Sequence, residues 1–556
     1  MEIACRKQPG WEEPRCSFGR AGLSSVAVLL ISSLLAFLSG CELQQREVAR
    51  DSDTDDDCAD SETGASDSLW LVQGWGDAPG YEMTWAVRAG GSANEYWYGE
   101  GFWATELFPG GDIGVGGVMN SNQYVLGAGT QHETWYDGDD DGMLFVARYS
   151  HDGAPVWVSP IRGREMGVSE IEAPGDGSLV VWGVTSNGSN PIVFGAGSPG
   201  EISLEPDEGK LTCFLVRYLE DGAPDWVTYS AGASCIAREG GLSIAPDGGF
   251  CACGGYGDYF DDDPALEFDD GSGEPFSGPK TGEAYRGFLA RFDSEGGVEW
   301  VRSMRDASDE DPGYADTWSA VAMPDGSCVF TGRFGTSGVS FQDGSGGEQD
   351  LSLVPWAGWG QFVAKYDEAG DLEWIRDLGV AGHQGGDPGS GNVVSAIEKD
   401  GEIVVSGTFN GEILAGTDSD PFYQIAGYEQ KDLGIYLTRL DGQSGERLFT
   451  SLALGASSDE MGPFDCVWDL AVLPDGGIVQ GGSFSGKKTF GVFEGKETDL
   501  VATGPDSDAF LAAYEPNGTL RWASRVAFFS DIPHGFVGIG EIVRSISVSD
   551  SGSILA

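Results

Sequence analysis

A motif that returns every 69 to 74 residues restricts the fold of this 556-residue chain more than any other feature. Each copy starts with an aromatic residue and continues through Arg or Lys and an acidic turn containing Gly. It closes with Trp twelve positions after the aromatic residue. The copies are FVARYSHDGAPVW (145–157), FLVRYLEDGAPDW (214–226), FLARFDSEGGVEW (288–300) and FVAKYDEAGDLEW (362–374), with the variants YLTRLDGQSGERL (436–448) and FLAAYEPNGTLRW (510–522). The leading aromatic residues are spaced 69, 74, 74, 74 and 74 residues apart, so six copies of one structural unit are expected.

A second motif lies between these copies. It is an alternating apolar run, an acidic turn with Gly, and another apolar run that ends in Gly. Clear copies occupy residues 243–255, 320–332, 395–407 and 470–482, weaker ones surround Gly111 and Gly177, and a further copy spans 545–556. Short strands of period two joined by Asp, Asn and Gly are typical of β-hairpins. Each repeat is therefore predicted to contain four antiparallel strands, A and B from this motif and C and D from the first.

Four-stranded repeats arranged around a ring form a β-propeller, in which neighbouring blades bury faces that one blade cannot cover. The periodic Trp and Phe residues are predicted to pack between blades. The blade count depends on both ends of the sequence, because residues 70–72 and 83–87 fit a C–D pair while 541–549 and 553–556 fit an A–B pair. We therefore predict an all-β, seven-bladed propeller of four-stranded blades over residues 66–556. The terminal strands would close it two-plus-two, which removes free sheet edges.

The N-terminus has the pattern of an export signal. Basic residues occur among positions 1–20, an uncharged apolar stretch covers 21–38, and Leu38-Ser39-Gly40-Cys41 follows. This tetrapeptide resembles a bacterial lipobox, which implies cleavage after residue 40 and acylation of Cys41. The alternative is an uncleaved membrane anchor, since eighteen apolar residues could just span a bilayer. Residues 41–65 carry many Asp and Glu, and such a run stays extended, so they are predicted to be a flexible tether. The expected location is the cell envelope, at the outer membrane.

Charge excludes one class of partner. The chain has 31 Lys and Arg against 89 Asp and Glu, a net charge of −58, so it lacks the basic patches that nucleic-acid binding requires. Four His residues do not favour imidazole-rich metal sites, and no G-x-S-x-G, H-E-x-x-H, P-loop or dinucleotide motif occurs. Paired carboxylates for hydrolysis are uninformative in so acidic a chain. The expected partners are the membrane, through the N-terminal lipid, and a protein or glycan ligand.

Loop length indicates where a ligand would bind. The A–B and C–D turns are short and share one face of an up-and-down repeat, whereas the B–C and D–A connections are long and share the other. The long B–C connections are 119–144, 256–287 and 335–361. Binding sites are usually carried by such loops, although neutral drift of exposed loops is the alternative.

One long connection contains Asp137, Asp139 and Asp141 in the pattern D-x-D-x-D-G, the first half of a calcium loop. The Glu of a complete EF-hand is replaced by Arg148, so the match is partial. These residues are the predicted calcium ligands, and calcium is the candidate cofactor. A solvated acidic loop is the alternative. The seven cysteines beyond residue 41 leave disulfides and buried thiols both open.

The PDG turns, the strand ends SGTF (406–409) and GGSF (481–484), and the FLARF-type unit resemble the SBBP family over roughly residues 68–556. Those repeats form seven-bladed propellers in bacterial secreted proteins and surface lipoproteins, and they share no catalytic residues. The resemblance implies this fold and almost nothing about a ligand. The lipobox, the acidic tether, the seven hairpin pairs and the absence of catalytic motifs favour a surface lipoprotein whose propeller is a non-enzymatic binding or structural module. The alternatives are an exported hydrolase or lyase that uses carboxylates, and an architectural spacer in a surface layer.

Overall fold

The computed structural model describes residues 68–556 apart from 74–84, 92–100, 120–122, 129–133, 138–142, 187–190, 206–209, 258–264, 271–275, 281–285, 307–314, 336–337, 353–356, 384–392, 398–400, 410, 426–432, 456–464, 503–506, 527–541 and 550. Every regular element in these residues is a β-strand. No helix capable of crossing a membrane was found in this part of the chain.

The described residues contain forty strands. The first fourteen are β1 (Ser68–Gln73), β2 (Trp85–Gly91), β3 (Gly101–Leu107), β4 (Ile113–Met119), β5 (Gln123–Ala128), β6 (Thr134–Asp137), β7 (Met143–Tyr149), β8 (Pro155–Arg162), β9 (Arg164–Glu172), β10 (Leu179–Ser186), β11 (Ile192–Phe194), β12 (Ile202–Leu204), β13 (Leu211–Tyr218) and β14 (Pro224–Gly232). The next twelve are β15 (Cys235–Ile244), β16 (Phe250–Tyr256), β17 (Ala265–Asp269), β18 (Phe276–Lys280), β19 (Arg286–Phe292), β20 (Val298–Asp306), β21 (Ala315–Ala322), β22 (Cys328–Gly335), β23 (Val339–Gln342), β24 (Glu348–Leu351), β25 (Ala357–Tyr366) and β26 (Leu372–His383). The last fourteen are β27 (Val393–Ile397), β28 (Glu402–Phe409), β29 (Gly411–Thr417), β30 (Asp420–Ile425), β31 (Gly434–Asp441), β32 (Arg447–Leu454), β33 (Cys466–Val472), β34 (Ile478–Phe484), β35 (Lys487–Phe490), β36 (Thr498–Val501), β37 (Asp508–Tyr514), β38 (Leu520–Val526), β39 (Ser547–Val548) and β40 (Ile554–Leu555).

These strands form seven antiparallel sheets, which we number in the order of their A strands. Their strand orders are β3-β4-β7-β8-β11-β12 (sheet I), β9-β10-β13-β14-β17-β18 (II), β15-β16-β19-β20-β23-β24 (III), β21-β22-β25-β26-β29-β30 (IV), β27-β28-β31-β32-β35-β36 (V), β33-β34-β37-β38 (VI) and β39-β40-β1-β2-β5-β6 (VII). The A, B, C and D strands predicted from the two motifs are the first four of each sheet. Sheet VII combines the two ends of the sequence, with Gln73 opposite Leu555.

The expectation of four strands in every blade is wrong for six sheets, which have six strands each. The additional pair is a hairpin within the B–C connection of the following repeat, and it pairs with the D strand of the preceding sheet. For example, β23 and β24 follow β22 of sheet IV in sequence, yet β23 pairs with β20 of sheet III. The long B–C connections thus contain paired strands that extend the neighbouring sheet, whereas they were expected to be loops.

The two sequence motifs meet within each sheet. The Gly that ends the B motif lies opposite the leading aromatic residue of the C strand, as in the pairs Gly254–Phe288 and Gly332–Phe362. A Cβ atom on Gly332 would lie 2.6 Å from the ring of Phe362, so only Gly leaves room for that ring. Several central strands, including β16 and β34, are buried at every position. Both faces of the sheets therefore contribute to the core.

The core consists of seven hydrophobic clusters in the described part of the chain, each between two consecutive sheets. The Trp of a D strand packs on the C–D turn of the next sheet, where the indole N–H of Trp300 donates to the carbonyl of Glu368 at 3.0 Å. In the variant repeat the sequence alignment puts Leu448 in the Trp position. Instead Phe449 packs on the turn, against Gly518, and Leu448 is exposed. One extra turn residue shifts the register by one position and so selects Phe449.

The Arg or Lys that recurs in the C motif of the repeats also has a structural partner. Arg148 pairs with Asp112 at 2.9 Å and Lys365 with Asp325 at 2.9 Å, in each case an acid of the A–B turn of the same sheet. These ion pairs tie the two hairpins of one repeat together. The presence of Arg or Lys at this position of the motif is therefore explained by structure alone, and no ligand is needed to explain it.

Candidate functional site

The A strand of each sheet contacts the A strand of the next, from β3 through β9, β15, β21, β27 and β33 to β39, and β39 contacts β3. We call these seven the inner strands. Four of them contain a single extra residue where their register against the B strand shifts. This residue is Trp103 in β3, Trp318 in β21, Trp468 in β33 and Ser169 in β9. In β15 the shift spans residues 238–241. Bulges of this kind redirect side chains and are frequent near functional sites.

Half-buried carboxylates gather at the inner strands. They are Glu106 of β3, Glu170 and Glu172 of β9, Glu239 of β15 and Asp469 of β33, and together with Arg544 we call them the inner cluster. The residues come from sequence positions more than 350 apart, so the cluster exists only in the folded chain. Several acids of the A–B turns, such as Asp112 and Asp325, pair with a base, whereas this group places several acids near one another.

Burial is the main cause of raised pKa values throughout the inner cluster. It raises the pKa of Glu106 to about 7, assisted by the charge of Asp469, and it raises the pKa of Asp469 to about 7. Burial and then the charge of Asp469 hold the pKa of Glu170 well above its ordinary value. The pKa of Glu172 is likewise well above its ordinary value, because of burial and then Glu106. Each carboxyl therefore resists ionisation while its neighbours are charged.

Backbone amides fix several of these carboxylates in place. The amide of Gly240 donates to Glu170 at 2.9 Å, and the amides of Leu470 and Ile546 donate to Asp469 at 2.7 and 2.6 Å. These bonds favour the ionised form and oppose the effect of burial on the pKa. The oxygen atoms are thus oriented before anything binds.

Arg544 supplies a positive charge to the cluster. Its guanidinium donates to Glu239 at 2.9 Å and lies 4.7 and 5.0 Å from the ring centres of Trp103 and Trp468. Burial raises the pKa of Glu239 although Arg544 lowers it. A cation held between two indole rings gains electrostatic energy from both faces. Next to this group, Arg238 pairs with Asp316 and lies 4.9 Å from the ring of Trp318.

The cluster combines carboxyls that titrate near neutral pH with an oriented guanidinium and indole rings. A carboxyl of pKa about 7 can donate a proton while a neighbouring carboxylate accepts one. The surplus of negative charge attracts cations and hydrogen-bond donors. No group of three or more His, Cys, Asp or Glu in the described residues has the geometry to hold a metal ion.

The site residues predicted from the sequence lie elsewhere. Asp137 is the last residue of β6, a strand whose side chains are not described, and Asp139 and Asp141 lie outside the described residues, as does Cys41. The calcium site and the lipidation site stay predictions.

Sequence reasoning missed the inner cluster altogether, because a chain with 89 acids offers carboxylate pairs everywhere. One signal was present. Glu170, Glu172 and Asp469 interrupt the alternating apolar runs of predicted A strands, where a charge has no obvious solvent-facing role.

Of the six cysteines that the structure describes, four form disulfides and two are free thiols. Disulfides join Cys213 to Cys235 and Cys251 to Cys328, linking sheets II, III and IV in sequence. Cys253 and Cys466 are free, and burial raises the pKa of the Cys466 thiol to about 12. Such thiols are unreactive at neutral pH.

No protein-family model matches the sequence, and no curated protein matches it. Among solved structures, the chain is similar to a eukaryotic initiation factor with 8% identity and a TM-score of 0.31, over 83% of this chain and 96% of that one. It is also similar to a glycoside hydrolase family 32 β-fructofuranosidase of Bombyx mori, with 11% identity and a TM-score of 0.24, over 77% and 87% of the two chains. Similarity at this level supports no conclusion about activity.

Proposed function

We propose that the protein is a lipid-anchored bacterial envelope protein whose 66–556 domain is a closed seven-bladed β-propeller that serves as a binding module. Closure is supported by the succession of A-strand contacts and by the sheet that combines both ends of the sequence. Export is supported by the two disulfides, since such bonds persist in oxidising compartments. The resemblance to SBBP repeats is part of this proposal.

The observation that carries the binding function is the inner cluster. Its carboxylates are oriented by amides of neighbouring strands and exceed the positive charge of Arg544, so a ligand that brings hydrogen-bond donors or cations would stabilise it. The indole rings of Trp103 and Trp468 offer flat apolar faces at the same place. Sugars and basic or hydroxyl-rich protein side chains combine these properties, which fits the predicted glycan or protein ligand.

Affinity capture from envelope extracts tests this function. Three proteins are compared: the wild type, a Glu170→Gln, Asp469→Asn double variant, and the control Glu348→Gln, which removes an outer-hairpin carboxylate paired with Arg305 at 2.7 Å. We expect the wild type and the control to retain a common partner or glycan that the double variant loses. Equal capture by all three proteins would show that the cluster is not the binding site.

Lipid anchoring is tested separately with Cys41→Ser. Metabolic labelling with a fatty acid should mark the wild type and not the variant, and the variant should leave the membrane fraction or stay unprocessed. Labelling that persists in the variant would contradict lipidation of this residue.

A carboxylate-dependent hydrolase or lyase is the second candidate, favoured by the pKa of about 7 of both Glu106 and Asp469. One protonated carboxyl beside an ionised one is the arrangement needed for acid–base catalysis. Release of reducing sugar from envelope polysaccharide should then occur with the wild type and fall at least about 100-fold in Asp469→Asn. If neither protein releases product while the wild type still captures a ligand, the binding module is the better description.

A further inference from the structure

The inner segment of sheet VII, residues 542–548, has the weakest strand pairing of any inner strand. Its strand β39 has two residues, whereas β33 and β3 on either side have seven each. The pairs Ser547–Leu555 and Val548–Ile554 are its registered partners in β40. Sheet hydrogen bonds alone therefore fix little of this segment.

Side chains hold the segment against β3. The Ser545 hydroxyl accepts from both the amide and the hydroxyl of Thr105 at 3.0 Å, and the Ser547 hydroxyl lies 2.9 Å from the Thr105 carbonyl. Ser547 also lies 3.2 Å from a carboxylate oxygen of Glu106. Ser545 and Ser547 are buried, so these bonds are shielded from water.

Carboxylates of β33 and β15 also bind segment 542–548. The amide of Ile546 donates to Asp469 of β33 at 2.6 Å, and Arg544 reaches Glu239 of β15 at 2.9 Å. Three carboxylates from three different inner strands thus fix one segment, at Ser547, Ile546 and Arg544.

We propose that segment 542–548 is a pH-dependent clasp, which docks between β3 and β33 when the inner cluster is partly protonated and undocks when the cluster is fully ionised. Its own charged group is Arg544, and the groups in contact or electrostatic interaction with it are Glu106 from β3, Glu239 from β15, and Cys466 and Asp469 from β33. Glu170 and Glu172 from β9 and Arg238 from β15 act on these groups in turn.

The direction follows from burial first and from charge second. The docked segment keeps water from Glu106 and Asp469, and this burial disfavours their ionised forms more than the hydrogen bonds from Ser547 and Ile546 favour them. The two carboxylates lie on opposite sides of the segment, and repulsion by the charge of Asp469 adds to the effect of burial on Glu106. Undocking admits water, which screens that repulsion and returns both carboxyls towards their ordinary pKa values. A carboxyl whose pKa is about 7 when docked and about 4.5 when hydrated shifts the docking equilibrium about ten-fold between pH 6 and pH 8.5. The clasp requires neither lipid nor ligand, so it is independent of the proposed function.

Hydrogen–deuterium exchange of the full-length protein in detergent tests the clasp. The peptide that covers 542–549 is compared at pH 6 and pH 8.5, after correction for intrinsic exchange, with β34 as the internal reference. We expect protection of the segment to fall at least about ten-fold at the higher pH while that of β34 stays constant. Protection that does not change with pH would overturn the proposal.

Neutral variants identify the responsible groups. Glu106→Gln with Asp469→Asn keeps hydrogen-bond acceptors but removes both charges, so the pH effect should shrink to less than about two-fold, whereas Glu348→Gln should behave as the wild type. A ten-fold effect that survives in the double variant would also overturn the proposal. If the double variant loses protection of β34, Glu106→Gln alone is measured, and a pH effect equal to that of the wild type contradicts the clasp.

Discussion

Replacing Gly370 by Ala should test how one sheet recognises the next. Gly370 lies in the C–D turn of sheet IV with φ of +79°. A Cβ atom there would come within 2.7 Å of the guanidinium of Arg302 and within 2.8 Å of the ring of Trp300, both from sheet III. Trp300 is 4% exposed and cannot move outward without breaking its hydrogen bond to Glu368. The variant therefore has two costs, backbone strain and crowding of the indole ring.

The structure provides a control that separates these costs. Gly346 has φ of +82° in the β23–β24 turn, but a Cβ atom there meets nothing within 4 Å. Ala at a left-handed position costs about 1–2 kcal/mol, and overpacking of a buried site adds about 1–3 kcal/mol. We expect the free energy of unfolding to fall by about 1–2 kcal/mol for Gly346→Ala and by about 2–5 kcal/mol for Gly370→Ala.

Urea unfolding, followed by circular dichroism and Trp fluorescence, measures both variants as shifts of the midpoint at an unchanged slope. In a Trp300→Ala background most of the extra cost of Gly370→Ala should vanish, because the ring that it crowds is gone and the Arg302 guanidinium is the end of a flexible side chain. Equal destabilisation by Gly346→Ala and Gly370→Ala, or full cost in the Trp300→Ala background, would refute packing of the Trp on the turn as the reason for Gly.

Three further outcomes are expected. Glu106 and Asp469, whose pKa values are raised to about 7, still bind protons in the folded state at pH values where the unfolded chain has released them. The free energy of unfolding should therefore fall as pH rises from about 4.5 to 7, by at most about 3 kcal/mol for each carboxyl. Melting temperatures at pH 5.5, 6.5 and 8 check this, and a stability that increases with pH contradicts it. Lys488 and Asp465 are both fully buried and 2.8 Å apart, so Lys488→Met should cost about 3–5 kcal/mol, against less than about 1 kcal/mol for the exposed neighbour in Lys487→Met. Calcium at several millimolar should raise the melting temperature of the wild type and not of Asp139→Asn, and no shift in either would mean a solvated acidic loop.

The repeat period predicted the strands that lie in each sheet's first four positions, since turn glycines and alternating apolar residues carry that information locally. The outer hairpins were missed because their lengths and turns differ from repeat to repeat. A Phe in the hairpin does recur 20 or 21 residues before the leading aromatic residue, as in Phe268–Phe288 and Phe341–Phe362, whose ring centres are 5.8 and 4.9 Å apart. That contact joins two parts of the repeat which pair with different sheets.

The inner cluster could not be predicted in the same way. Glu170 and Asp469 occupy equivalent positions of their A strands, opposite Trp182 and Gly481 of the B strands. Glu106 and Glu172 are equivalent in the same way. Each position is acidic in only two repeats, so periodicity gives little signal for them. Their proximity depends on the order of the inner strands, and their raised pKa values depend on burial, which no local pattern encodes. The basic position of the C motif was visible in the sequence, but its role as a partner of the A–B turn required the antiparallel pairing of B with C.

The exchange of outer hairpins also sets the order in which the chain can be completed as it is synthesised. Strand β20 ends at Asp306, yet the strand that covers its edge begins at Val339, after the first two strands of sheet IV have been made. During that interval each unfinished sheet presents an open ladder of amides and carbonyls, the kind of edge that pairs with other chains. The interval between the synthesis of two paired strands is longest in sheet VII, where Gln73 pairs with Leu555. Strand β1 precedes every other described strand in the sequence, and it can meet β40 only after residue 555 has been made.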